Sequence, residues 1–201
     1  LRSECREELG VSAGEPLMLA VARHEPQKDL STFVRTVASV RDQFGAGQGV
    51  IVGRTGSETE ALNALRIELG LCDAVHLIGT RSDVARFMCA ADVLVLTSRS
   101  EGAAGVVIES MAHRLPIVAT TVAGLEGVLE NEKNSLTAPV GDLAALAAAS
   151  LRMLDDPEFA AGLSLNARAT YEERFTIGRS ADSLLAMYRQ VAAQPKAMLR
   201  G

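Results

Sequence analysis

Two basic and two acidic residues stand where they can do chemistry together. Arg23 and Lys28 lie five residues apart in VARHEPQKD, directly after an apolar run. An arginine forks onto a phosphate, and a lysine offers it a compact point charge. Glu101 and Glu109 stand in a Glu-x7-Glu spacing within SRSEGAAGVVIESM. Between them Gly102, Ala103, Ala104 and Gly105 carry almost no side chain, near Ala103 where a helix is expected to begin. Open amides at a helix start, reinforced by the helix dipole, favour an anion such as a diphosphate. Glu109 falls one turn beyond Gly105 on the same helix face. A carboxylate there can accept hydrogen bonds from vicinal hydroxyls, as the acidic residue of dinucleotide folds does with ribose. Cations for phosphates and carboxylates for hydroxyls together suit a nucleotide sugar. The same residues also fit a plainer description, a solvated charged loop and two glutamates that cap and decorate a helix.

The elements that must position these groups can be read from hydrophobic spacing. Short apolar runs at 17–22, 49–53, 75–79, 92–98 and 116–121 read as buried strands, with a weaker sixth at 135–139. Amphipathic helices separate them. The first covers 29–44, with Leu30, Phe33, Val34, Val37 and Val40 on one side. Ser57 and Glu60 have the spacing of a capping box. Ser82 or Asp83 is expected to cap the next helix, Asp142 the one after the sixth strand, and Asp156 a helix with Pro157 at its first position. From Pro157 to about Ala193 the chain reads as helical, and its stretch at 176–191 is a candidate dimer surface. Alternating β and α units predict an α/β fold. It is a Rossmann-like three-layer α/β/α sandwich with a parallel sheet of about six strands plus C-terminal helices. Ligands of such sheets bind beyond the carboxyl ends of the strands, at a topological switch point. The loops carrying Arg23, Lys28 and Glu101 follow strands, as that requires.

Composition narrows the classes. A length of 201 residues suits a single domain spanning 1–201, and 48% apolar with 22% charged residues is ordinary for a globular protein. A net charge of −5 and 3% aromatics argue against nucleic acid as a partner. Cys5, Cys72 and Cys89 are odd in number and widely spaced, so they read as small buried hydrophobes in a reducing compartment. The single histidines His24, His76 and His113 form no metal motif. The glycines of FGAGQGV precede their strand and read as a helix stop and turn, not as a dinucleotide fingerprint. GRTGSE lacks the lysine of a P-loop, and no G-x-S-x-G is present. The chain opens on charged residues without a methionine or a leader-like apolar run, which suggests a piece of a longer protein.

In order, VARHEPQKDL, VHLIG, AADVLVLTSRSEG, ESMAHRLPIVATTVAG and a Gly-Asp helix start resemble the C-terminal, donor-binding domain of the retaining GT-B glycosyltransferases of family 4. The likeness covers about residues 17–154. It implies that Arg23 and Lys28 bind the donor diphosphate and that Glu101 meets the donor sugar at its reacting end. Glu109 would hold the ribose. Gly102, Ala103, Ala104, Gly105 and Val106 would form the turn whose amides meet sugar hydroxyls and phosphate. Gly79, Thr80 and Arg81 would line the wall near the base. The implied reaction moves a sugar from a UDP- or GDP-sugar to a hydroxyl acceptor with retention, using Arg23, Lys28 and Glu101 for catalysis and neither metal nor cofactor. The partners implied are the nucleotide sugar and a preceding acceptor domain, without which this half is expected to be inactive. The expected location is the cytoplasm, with an acceptor that can lie at the inner face of the membrane.

The likeness has departures. The family commonly reads E-G-F-G where this chain has Glu101-Gly102-Ala103-Ala104, with Gly105 one step late. Arg114 replaces a glycine, Ala123 replaces the first of two, and Ser135 stands where Asn-Gly is common. Alanine resists φ > 0, so a left-handed turn at Ala104 would be strained or rebuilt. Two other readings remain open, a degenerate nucleotide- or protein-binding module and a GT-B relative that epimerises a UDP-sugar.

Overall fold

The structure is a computed structural model and describes residues 1–102 and 105–193. Six strands form one parallel sheet: β1 (Leu17–Val21), β2 (Gln48–Val52), β3 (Val75–Gly79), β4 (Val93–Leu96), β5 (Ile117–Thr120) and β6 (Leu136–Ala138). Their order is β3-β2-β1-β4-β5-β6. The helices are α1 (Arg2–Glu8), α2 (Leu30–Phe44), α3 (Thr59–Glu68), α4 (Val84–Ala90), α5 (Gly105–His113), α6 (Leu143–Asp155), α7 (Pro157–Arg174) and α8 (Ile177–Ala192).

Strand side chains alternate between two cores, one on each face of the sheet. Leu17, Leu19, Leu94 and Leu96 face one way and pack with Phe87 of α4 and Val107 and Met111 of α5. Met18, Ala20, Val93 and Val95 face the other way and pack with Phe33 and Val37 of α2, Leu62 of α3 and Leu146 of α6. α7 joins both: Ala160 and Leu163 lie in the second core and Ala167 in the first. The expected three-layer α/β sandwich is therefore present.

Several local expectations hold. Asp142 accepts from Ala145 N at 2.9 Å, and Asp156 accepts from Phe159 N at 2.9 Å with Pro157 at N1. Gly45 ends α2 with φ 80°. The helical tail breaks once, at Phe175, where Thr176 opens α8 and accepts from Arg179 N.

Others are corrected. Ser57 does not cap α3, because its hydroxyl donates to Glu25 at 3.3 Å, and the helix opens two residues later. Asp83 precedes α4 without capping it, since Arg81 holds both its oxygens at 2.7 Å. Of the cysteines Cys5 alone is buried; Cys72 is exposed and Cys89 partly so, its Sγ lying 3.8 Å from His113 Nδ1. All three are free. α5 begins at Gly105 among the described residues, and the expected start near Ala103 lies outside them. The strain anticipated at Ala104 also lies outside them. The third strand is less buried than expected, because β3 is a sheet edge.

Arg114 shows what its departure means. It stands after α5 with φ 55°, and Leu115 N returns to Ser110 O at 3.0 Å, a Schellman-type stop. That backbone suits glycine, and an arginine there is strained.

Candidate functional site

β1 and β4 are neighbours at the middle of the sheet, yet the chain leaves them in opposite directions: β1 leads toward β2 and β3, β4 toward β5 and β6. The crevice at their carboxyl ends is the topological switch point, and the loops carrying Lys28 and Glu101 meet there.

Backbone and side-chain bonds join the two loops. Thr97 Oγ1 lies 2.9 Å from both Lys28 O and Asp29 O. Arg99 N donates to Gln27 O at 2.8 Å, and Gln27 Nε2 donates to Ser100 O at 2.8 Å. Arg99 also grips the buried Asp29 carboxylate at 3.1 Å, and Ser31 Oγ donates to its other oxygen. Asp29 has φ 45°, so this left-handed turn is held by side-chain bonds. A third loop braces the pair: a Cβ on Gly124 would lie 2.0 Å from Glu101 O, so only glycine allows that close approach.

This frame brings Lys28 Nζ to 2.7 and 2.9 Å from the two oxygens of Glu101. Ser98 Oγ donates to Glu101 Oε1 at 2.5 Å, and Thr120 Oγ1 secures Ser98 O at 2.6 Å. The lysine side chain is 17% exposed and the glutamate 7%. On the other side of the first loop, His24 is buried, with Nδ1 3.0 Å from Thr59 Oγ1. That hydroxyl also accepts from Gly56 N at 2.9 Å. Burial pushes the His24 pKa down, and Nε2 has no partner among the described residues.

The remaining expected residues are placed as follows. Arg23 shares the β1 loop but is exposed, and its side chain makes no hydrogen bond or ion pair among the described residues. Glu109 is exposed on α5, one turn after Gly105. Gly102 and Gly105 are open, with nothing within 4 Å of a would-be Cβ, whereas Val106 packs against the first core. Ala103 and Ala104 lie outside the described residues. Gly79, with φ 77°, and Thr80 lie at the end of β3, two strands away from β1. Arg81 is committed to Asp83 and sits 5.5 Å from the Phe87 ring centroid. Their hydrogen bond raises the Arg81 pKa and lowers that of Asp83. The structure thus joins Lys28 with Glu101 and leaves the β3 group apart from them.

Sequence reasoning gave no role to Ser98, Asp29, Arg99 or Gly124. Ser98 could have been found as the second of the two polar residues, Thr97 and Ser98, that follow a buried strand. Asp29 and Arg99 could not, because their contact spans 70 residues. A cavity of about 280 Å³ lies beside this frame, lined by Pro26, Gln27, Asp29, Leu30, Ser31, Glu58 and Arg99. A larger one of about 970 Å³ opens at the other end of the sheet, between Pro16, Asp92, Pro116 and the α6–α7 junction, far from these groups.

The family model described as glycosyl transferases group 1 matches residues 15–156. The chain is 32% identical to D-inositol 3-phosphate glycosyltransferase of Saccharomonospora viridis, over 96% of this chain and 47% of that protein. It is 28% identical to alpha-D-kanosaminyltransferase of Streptomyces kanamyceticus, over 94% of this chain and 49% of that one. Among solved structures, sucrose-phosphate synthase of Thermosynechococcus elongatus superposes with a TM-score of 0.84 at 31% identity, covering 95% and 49% of the two chains. Anabaena Alr3699/HepE in complex with UDP-glucose superposes with a TM-score of 0.83 at 25% identity, covering 92% and 52%. The chain thus spans about half the length of the relatives it matches. It belongs to the group 1 glycosyl transferases, and corresponds to the C-terminal half of GT-B enzymes.

Proposed function

We propose that this chain is the nucleotide-sugar-binding half of a glycosyltransferase that moves a hexosyl group to a hydroxyl acceptor with retention. The observation that carries the reading is the Lys28–Glu101–Ser98 cluster, set at the switch point between β1 and β4 beside the start of α5. A diphosphate seated there meets the Lys28 ammonium, the reach of Arg23 and the uncrowded backbone at Gly102 and Gly105. These groups stabilise the charge that grows on the leaving diphosphate, in a place shaped before the reaction begins. Glu101 accepts hydrogen bonds from the sugar and fixes the anomeric carbon, and Glu109 takes the ribose hydroxyls. Charge neutralisation by side chains and amides is sufficient for this chemistry without a metal.

Uridine diphosphate is the favoured nucleotide, because the HepE relative was solved with UDP-glucose. A guanosine donor is the alternative to test. The acceptor belongs to the other half, and transfer requires both halves because orientation of two substrates supplies much of the rate. No helix of the described residues is long and apolar enough to cross a membrane. The test is thermal unfolding of the chain with UDP, GDP, UDP-glucose and GDP-mannose. Ligand at ten times its Kd adds about 1.4 kcal/mol, a rise of roughly 3–6 °C at this size. A rise with one nucleotide family, abolished by Lys28→Ala and reduced by Glu109→Ala, is expected. A rise that survives Lys28→Ala would overturn the placement.

A further inference from the structure

Lys28 and Glu101 are each other's charged partner in a place that water scarcely reaches. A diphosphate that takes Lys28 must draw it from Glu101. What happens to the carboxylate then depends on what else the ligand carries. An intact nucleotide sugar brings hydroxyls, which donate to Glu101 as the lysine leaves, so both groups regain partners. A nucleoside diphosphate brings no hydroxyl to that point. Among the described residues it leaves Glu101 with the Ser98 hydroxyl, and it places further negative charge beside it; a buried charge without its partner is strongly disfavoured.

Resting on the donor-site reading above, we infer that Glu101 discriminates between the intact donor and the nucleoside diphosphate left after transfer, by reclaiming Lys28 once the sugar has gone. The frame makes this exchange specific to the pair. The loops are already joined through Thr97, Arg99 and Gln27, so the ion pair is not needed to hold them together. Gly124 against the Glu101 carbonyl and Thr120 on the Ser98 carbonyl hold the carboxylate's backbone in place. Glu101 therefore stays where it is and acts on Lys28 by charge. Selectivity here is a difference of two affinities, and it is obtained by penalising the wrong ligand.

Calorimetric titration of the chain with UDP and with UDP-glucose, or with GDP and GDP-mannose if that family binds, tests the inference. Glu101→Gln keeps the shape and removes the charge. It is expected to tighten the nucleoside diphosphate about tenfold while leaving the nucleotide sugar unchanged or weaker, which erases the selectivity. Ser98→Ala retains the ion pair and is expected to keep the preference for the sugar form. Unfolding midpoints of both variants confirm that they are folded. Equal weakening of both ligands by Glu101→Gln, or no effect on the diphosphate, overturns the inference while leaving the donor site in place. If Lys28→Ala binds both ligands as the parent does, or neither ligand binds the parent, the donor-site reading fails and the inference with it.

Discussion

The two ends of the sheet hold paired charge in different ways. At the amino end Arg2 and Arg6 converge on Asp92, at 2.5 and 3.4 Å. Asp92 also accepts from Leu17 N at 2.8 Å. The arginines spend their other donors on the carbonyls of Ala90, Ala91, Ser12 and Glu15. Nearly every partner there is backbone, and backbone does not leave. At the carboxyl end the partners of Lys28 and Glu101 among the described residues are side chains. A ligand can replace those. The same chemistry, a cation on a carboxylate, fastens α1 to the sheet at one end and leaves an exchangeable site at the other.

The largest expected effect tests the fastened end. Asp92→Ala removes the carboxylate shared by Arg2, Arg6 and the Leu17 amide, and should cost about 2 kcal/mol in urea unfolding. A loss below about 1 kcal/mol would mean that the amino-end network is replaceable too. The matching change at the other end, Lys28→Met with Glu101→Leu, removes both charges together. It should alter stability by about 1 kcal/mol or less in either direction, yet abolish the nucleotide-sugar shift. Should this double variant unfold, the pair is structural and the contrast between the ends disappears.

Arg114→Gly relieves the left-handed residue after α5 and should raise stability by about 0.5–1 kcal/mol. A destabilised variant would show that the arginine side chain contributes more than its backbone costs. The smallest effect concerns pH. Burial lowers the pKa of both His24 and His76 below their ordinary 6.5. Arg66 adds to this for His76, whose Nε2 lies 3.0 Å from Gln48 Oε1. As pH falls through about 6.5, the unfolded chain takes up protons first, so stability drops below that pH and is unaffected above it. The unfolding midpoint should fall between about pH 7.5 and 5.5. His24→Asn, which keeps a polar partner for Thr59, and His76→Gln should each flatten the slope; unchanged slopes would remove histidine from the explanation.

The strands were legible because burial on both faces leaves runs such as LMLAV and VLVL uninterrupted. The caps at Asp142 and Asp156 were legible because they depend on residues three apart. The Ser57 box failed for a tertiary reason, since Glu25 of another loop takes its hydroxyl. α1 escaped notice because its apolar contacts are Cys5 and Leu9, four apart amid charged residues. At the site, the sequence pointed to Arg23, Lys28, Glu101 and Glu109 as separate contacts on a ligand. It could not say that Lys28 and Glu101 bond to each other, because that depends on β1 and β4 becoming neighbours across 73 residues. Asp29 and Arg99 were hidden in the same way.

Amide-resolved NMR of the chain, titrated with UDP and UDP-glucose, would locate the ligand directly. Shift changes are predicted at residues 23–29, 97–102 and 105–109, and they should vanish in Lys28→Ala. Changes confined to the other end of the sheet, around Arg2, Arg114, Met153 and Ala160 of the larger cavity, would contradict a donor site at the β1–β4 switch point.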